Sequence, residues 1–201
     1  IPWDDQWTNL VFENGHFNAS LSTDQISTNG IRITSLRKAI LSYPLEVERH
    51  LAHYADVTDD GFTALNTAFI QDGAFVCISE GESLKSPLNI VFISTEHEEP
   101  SISYPRLLLI AEAGSKATVI ESYVGFSRKR CFTNAVSEMV IGKRAEIDHH
   151  RLLLESEHTY HVGVERVHQS ERSLFTSHSF SKGTALGRYD LNVAMDGAGS
   201  Y

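Results

Sequence analysis

No helix-length amphipathic pattern interrupts residues 106–201, and from residue 73 onward the apolar residues come in short runs. Phe75–Ile78, Leu88–Ile93 and Leu107–Ala111 have the length and composition of strands covered on both faces. Tyr189, Leu191, Val193 and Met195 instead alternate with Arg188, Asp190, Asn192 and Asp196, which predicts a strand with one buried and one wet face. Glycine and a small residue introduce several of these strands. Gly114-Ser115-Lys116-Ala117, Gly142-Lys143-Arg144-Ala145, Gly183-Thr184-Ala185 and Gly197-Ala198-Gly199 read as tight corners of a loose repeat. The first two lie 28 residues apart and the next spacing is 41. That favours a β-solenoid over a jelly roll, although a sandwich or barrel gives similar strands and turns.

The helical signal is confined to residues 35–72. Pro44 suits a first helical turn, with Glu46 and Glu48 at the positive end of the dipole. Val47, Leu51 and Tyr54 recur at helical spacing, and a second helix begins near Asp59-Asp60-Gly61 with Leu65 and Phe69 on one face. Ahead of these, residues 9–17 read as a hairpin around Asn14-Gly15. The chain therefore divides into a hairpin and helical cap over 1–72 and a β-helix core over 73–201. Parallel strands should wind around a core containing Val76, Ile90, Leu108, Val119, Ile147, Leu191 and Val193, with residues 35–72 capping one end. The chain lacks a starting Met and stops just after a strongly patterned strand, so it reads as a piece of a longer protein without its C-terminal region.

A formal charge of −9 and a single basic cluster, Arg128-Lys129-Arg130, argue against a nucleic-acid partner. No apolar stretch approaches the roughly 20 residues that span a bilayer, and Ile1-Pro2-Trp3-Asp4-Asp5 is not a signal peptide. Cys77 and Cys131 form no CxxC pair and no disulfide framework, which fits a reducing, cytoplasmic setting.

Ten histidines in an acidic chain raise a metal hypothesis, because His149, His150, His158, His161, His168 and His178 crowd into thirty residues. Same-face residues on adjacent strands lie about 4.8 Å apart, so two imidazoles could share an ion. His149 and His150 must face opposite sides of a strand, and no HxH or HExxH occurs. Structural or surface histidines are the plainer reading, and no metal or catalytic residue is assigned. Asp148, Glu155, Glu157 and Glu165 could pair for sugar chemistry. Without an aromatic ladder, solvated strand faces account for them more simply. No G-x-S-x-G elbow and no P-loop are present.

Several segments, in order, resemble the SufB/SufD family of iron–sulfur cluster assembly scaffolds. They are Phe62–Phe69 with Asp72–Val76, Ser86–Ile90, Tyr104–Leu108, Ala113–Tyr123, Asn134–Glu138, Gln169–Ser173, and Ser181-Lys182-Gly183 with Gly187–Leu191. The Asn9–Leu21 opening is more similar to the SufD branch than to the SufB branch. The resemblance implies a right-handed parallel β-helix flanked by helical segments. It also implies a non-enzymatic role in building iron–sulfur clusters, beside a SufB-like subunit and a SufC-like ABC-type ATPase. Separately, open strand edges and apolar surface near Leu191–Met195 make a homodimer a candidate assembly. The family's ATPase-docking helices, and the C-terminal His and Cys near the SufB–SufD interface, have no counterpart in this chain. No site residue is therefore transferred, the cofactor-binding residues stay unknown, and the cluster belongs to the full complex, with none held tightly by this chain. The competing readings are a polysaccharide-active β-helix enzyme and a His-dependent metal protein on a jelly roll.

Overall fold

The computed structural model describes residues 1–201 except 24, 25, 29, 59, 96–98 and 127. A corner repeated along the chain sets its architecture. Gly81, Gly114, Arg144, Arg172 and Gly199 all have positive φ, at 73°, 69°, 59°, 55° and 72°, as the third residue of a type II turn requires. An arginine there costs roughly 1 kcal/mol or more. A ladder of hydrogen bonds offsets that cost: Gly81 donates its N–H to the Ala113 carbonyl, Gly114 to Lys143, Arg144 to Glu171 and Arg172 to Ala198. At the last four corners the next residue is small and buried, namely Ser115, Ala145, Ser173 and Ser200. The three serines turn their Oγ back to the carbonyls of Glu112, Ser170 and Gly197. Glycine alone is therefore a misleading marker of the repeat. Gly142 and Gly197 open their corners, Gly114 fills the third position, and Gly183 belongs to a different loop. The glycines are unevenly spaced because they occupy unlike positions in the turn.

Between corners the chain runs in strands. One sheet has the order β13-β11-β9-β6-β1-β2, built from β1 (Thr8–Glu13), β2 (His16–Phe17), β6 (Leu88–Ser94), β9 (Lys116–Gly125), β11 (Glu146–Leu154) and β13 (Leu174–Ser181). The other has the order β14-β12-β10-β8-β5-β4-β3. Its strands are β3 (Ile26–Ser27), β4 (Ile31–Ser35), β5 (Ala74–Ile78), β8 (Arg106–Ala111), β10 (Cys131–Ile141), β12 (Thr159–Gln169) and β14 (Leu186–Met195), with β7 (Ser101–Ser103) beside β10. Each turn lends one strand to each sheet, and successive turns pair in parallel, so the chain is a β-solenoid of about four turns. Antiparallel pairing among the described residues is limited to β1–β2, β3–β4 and β4–β5. Asn14 and Gly15, at φ 51° and 84°, make the expected hairpin turn, and β1 is woven into the first sheet against β6. Ala74 pairs with Leu107, Arg106 with Val136, Cys131 with Thr159 and Tyr160 with Leu186. These offsets shorten from 33 to 26, so the sequence carries no fixed period.

Side chains alternate between the interior and the outer faces. Leu10, Phe12, Val76, Ile90, Val119 and Ile147 fill the space between the sheets. Leu108 is buried on the opposite face, with Leu36, Val47, Phe75 and Cys77 beneath the helices. On the edge strand β14, Leu191 is 39% exposed and Val193 is only partly covered.

The helices α1 (Leu36–Ser42), α2 (Pro44–His50) and α3 (Gly61–Phe69) lie along the outer face of the second sheet, not over an end. That face needs cover because Phe75, Cys77, Leu108 and Ile110 point outward there. Ser35 caps α1, accepting from the Lys38 N–H, and Pro44 is the first residue of α2. Asp59 lies outside the described residues; Asp60 caps α3 by accepting from the Thr63 N–H. Two sequence expectations fail for one reason, buried polar groups. The helix does not continue from Leu51 to Tyr54, since Glu138 takes the N–H groups of Ala52, Tyr54 and Ala55 and Ala52 turns to φ 63°. On α3 the buried residues are Thr63 and Asn66 while Phe69 is exposed. Asn66 donates to the carbonyls of Pro105 and Asn134.

Gly73 joins α3 to β5, and its carbonyl accepts the Leu36 N–H. A Cβ there would overlap the Arg106 carbonyl oxygen. Gly73→Ala is expected to lose about 2–3 kcal/mol, read as a lower urea midpoint at unchanged slope.

Candidate functional site

The solenoid interior changes character along its axis. On β9 the inward positions Ala117 and Val119 are followed by Glu121 and Tyr123; on β11 Ile147 is followed by His149 and Arg151. Register sets Arg151 beside Glu121, Ser137 beside Glu165 and Thr133 beside His161, so the polar residues of several turns meet in one buried layer.

His149 stands at its centre. Its Nε2 is 3.0 Å from Glu121 Oε2 and its Nδ1 is 3.3 Å from Glu165 Oε1, with all three side chains essentially inaccessible. Glu121 Oε1 accepts from the Tyr123 hydroxyl and, at 2.9 Å, from Ser137 Oγ. Glu165 Oε2 accepts from Tyr189 at 2.6 Å. A second chain of contacts adjoins the first. Arg151 Nη2 donates to His161 Nε2 at 2.6 Å, which fixes that nitrogen as an acceptor and puts the proton on Nδ1, 2.9 Å from Glu155 Oε2. Thr133 donates to Glu155 Oε1 at 2.7 Å. The Arg151 guanidinium lies over the rings of Tyr123 and Tyr189, 5.2 and 4.3 Å from their centroids.

The environment separates the two histidines. Burial alone would lower the pKa of His149, but Glu165 and Glu121 outweigh it and raise it to about 10. Burial lowers His161 despite Glu155, and Arg151 adds to the lowering. Burial would raise the Glu121 carboxyl, yet the hydrogen bond and charge of His149 hold it below its ordinary range. Burial and Glu121 push Tyr123 well up; burial and Glu165 do the same to Tyr189. His149 Nδ1, Glu165 Oε1 and Arg151 Nη1 are buried and have no hydrogen-bond partner. One ligand atom each from Glu121, His149 and Glu165 lie within 4.8 Å of one another.

The sequence-derived candidates divide accordingly. His149 and His161 enter the interior, whereas His150 faces out, as strand alternation requires, and stacks on His178 at 5.1 Å. His168 pairs on the outer face with Asp196 at 2.6 Å, and His158 is exposed. Glu157 is solvated, as expected, and Asp148 is half-exposed, with Oδ2 3.1 Å from His150 Nε2. Glu155 and Glu165 are buried, which overturns the solvated reading for both. Glu121 escaped the sequence reading, although a lone acid at an inward position between Val119 and Tyr123 was the signal to find it. Cys77 sits beneath the helices, 3.1 Å from Arg32, its thiol pKa pushed up by burial against the pull of Arg32. Cys131 contacts Ser101 Oγ and the Lys129 carbonyl at 3.4 and 3.6 Å. β8 lies between β5 and β10, so the two cysteines occupy separate turns. Arg128, Lys129 and Arg130 are exposed.

No helix among the described residues is long and apolar enough to cross a membrane. The family model described as "SUF system FeS cluster assembly, SufBD core domain" matches residues 92–201, and that of the "SufBD protein N-terminal region" matches residues 6–90. The chain is 29% identical over 197 residues to the iron-sulfur cluster assembly SufBD family protein slr0076 of Synechocystis, covering 92% of this chain and 43% of the relative. It is 26% identical over 141 residues to the iron-sulfur cluster assembly protein SufD of Escherichia coli, covering 69% and 33%. To the chloroplastic protein ABCI7 of Arabidopsis thaliana it is 26% identical over 162 residues, covering 77% and 34%. The chain thus spans less than half the length of these relatives.

Proposed function

The chain belongs to the SufB/SufD family of iron–sulfur cluster assembly proteins, and from that premise we propose that it is a non-enzymatic scaffold subunit of the SufD branch. It works with a SufB-like subunit and a SufC-like ABC-type ATPase in the cytoplasm, and the cluster is cargo of the assembled complex. The carrying observation is the family match from residue 6 to residue 201. Leu186, Leu191 and Met195 on β14 are exposed, apolar surface that a neighbouring segment or subunit can cover, and a homodimer is a further candidate assembly. A polysaccharide-active β-helix is disfavoured because Glu155 and Glu165 face the interior and not a groove.

Co-expression with both partner subunits should yield a complex that stays together through affinity purification and gel filtration. Elution of this protein alone would overturn the partnership. The isolated protein should neither hydrolyse ATP nor release reducing sugar from polysaccharide. Anaerobic treatment with iron and sulfide should leave no chromophore after desalting, because a cluster needs several thiolates together and Cys77 and Cys131 lie on separate turns.

A further inference from the structure

We propose that the solenoid interior holds one divalent transition-metal cation, bound by His149 and Glu165 with Glu121 beside it, a site separate from any cluster chemistry. Charge is the first argument. Glu121, Glu155 and Glu165 face one guanidinium, Arg151, in a layer that water does not reach. His161 is neutral because its Nε2 accepts from Arg151. The three carboxylates exceed Arg151 by two negative charges, a surplus that a proton on His149 only halves and that one dication on neutral His149 cancels. An uncompensated surplus of that size is not sustained in a low-dielectric interior.

Orientation is the second argument. Glu121 takes the Nε2 side of His149, the outer partner that a metal-binding imidazole ordinarily has on its far nitrogen. The near nitrogen, Nδ1, faces Glu165 Oε1 at 3.3 Å, yet no hydrogen bond joins these buried atoms. A proton would have to lie close to the line between them. A metal sits off that line. With bonds of about 2.1 Å to each atom, it would be subtended at roughly 105°, close to tetrahedral. One ligand atom each from Glu121, His149 and Glu165 lie within 4.8 Å of one another, and Glu121 keeps its place on Nε2 while His149 and Glu165 supply the protein ligands. Imidazole with carboxylates suits zinc or ferrous iron and gives no preference for thiolate-seeking metals. In the metal-free protein a proton takes the cation's place, and binding expels it.

The test is to strip the purified protein with chelator under denaturant, refold it with excess Zn2+, and desalt. One zinc per chain should remain. Its X-ray absorption should show a nitrogen and oxygen shell, one imidazole and no sulfur. Glu165→Gln should weaken zinc binding at least tenfold, whereas His178→Ala, which breaks the surface histidine stack, should leave it unchanged. No retained zinc, a sulfur shell, or loss of zinc in His178→Ala would each overturn the proposal. If Glu165→Gln fails to fold, the absorption spectrum of the unaltered protein still decides.

Discussion

Replacing Glu138 with alanine is expected to destabilise the protein by about 3–5 kcal/mol, enough to lower the urea midpoint severely. Glu138 and Arg106 form an ion pair with both side chains fully buried, between β8 and β10 and beneath the helices. Arg106 also donates to Asn66 Oδ1 at 3.0 Å. Removing the carboxylate strands a buried guanidinium. It also deprives Ala52, Tyr54 and Ala55 of the acceptor for their N–H groups. Changing both Arg106 and Glu138 to leucine removes the stranded charge and leaves the loss of the backbone acceptor and of the Arg106 bonds to Asn66 and Thr67. The double variant should therefore be less destabilised than the sum of its single changes by about 2 kcal/mol or more. Additive changes would show that the pair contributes nothing as a pair.

The second large effect is a loss of stability in alkali by the metal-free protein. The folded pKa of His149 is about 10, raised from an unfolded value near 6.5. A group raised on folding contributes its full stability below the unfolded pKa and loses it as pH rises through the folded one. The decline should therefore run from about pH 6.5 to 10, at up to roughly 1.4 kcal/mol per pH unit. The other groups facing His149 are Glu121 and Glu165, with Arg151, Tyr123 and Tyr189 around them. Both tyrosines are pushed above their ordinary range, so their titration falls beyond this window. Urea midpoints of chelator-treated protein should fall between pH 7 and 9.5. His149→Gln should give a flatter profile there, and a parallel decline in that variant would assign the effect elsewhere.

The fold was legible because strand length and alternation report burial directly. Phe75–Ile78 and Leu107–Ala111 became central strands, and Asn14-Gly15 became a turn. The corner repeat was harder to read. Its defining property is a backbone angle that Arg144 and Arg172 share with three glycines, held by hydrogen bonds that residue identity does not record. The placement of the helices depended on which face of β5 and β8 needed cover. Leu108 reads as an interior residue because both faces of its strand are apolar. The ionic layer was legible only in part. Strand alternation separates His149 from His150, but solvated strand faces are the simpler expectation for acids on strands, and Glu155 and Glu165 are buried. Which inward residues meet depends on turn lengths, and these shorten along the chain.

Solenoids are commonly additive: each turn rests on its neighbours, and a damaged turn frays without destroying the rest. Here Glu121 comes from β9, His149 from β11, Glu165 from β12 and Tyr189 from β14, all within one connected set of contacts. Loss of β14 uncovers Glu165, and loss of Glu165 unbalances Glu121 in the neighbouring turn. The second half of the solenoid should therefore form and melt as one block. Any change at β14 reaches the interior through Tyr189 and Glu165 without entering it.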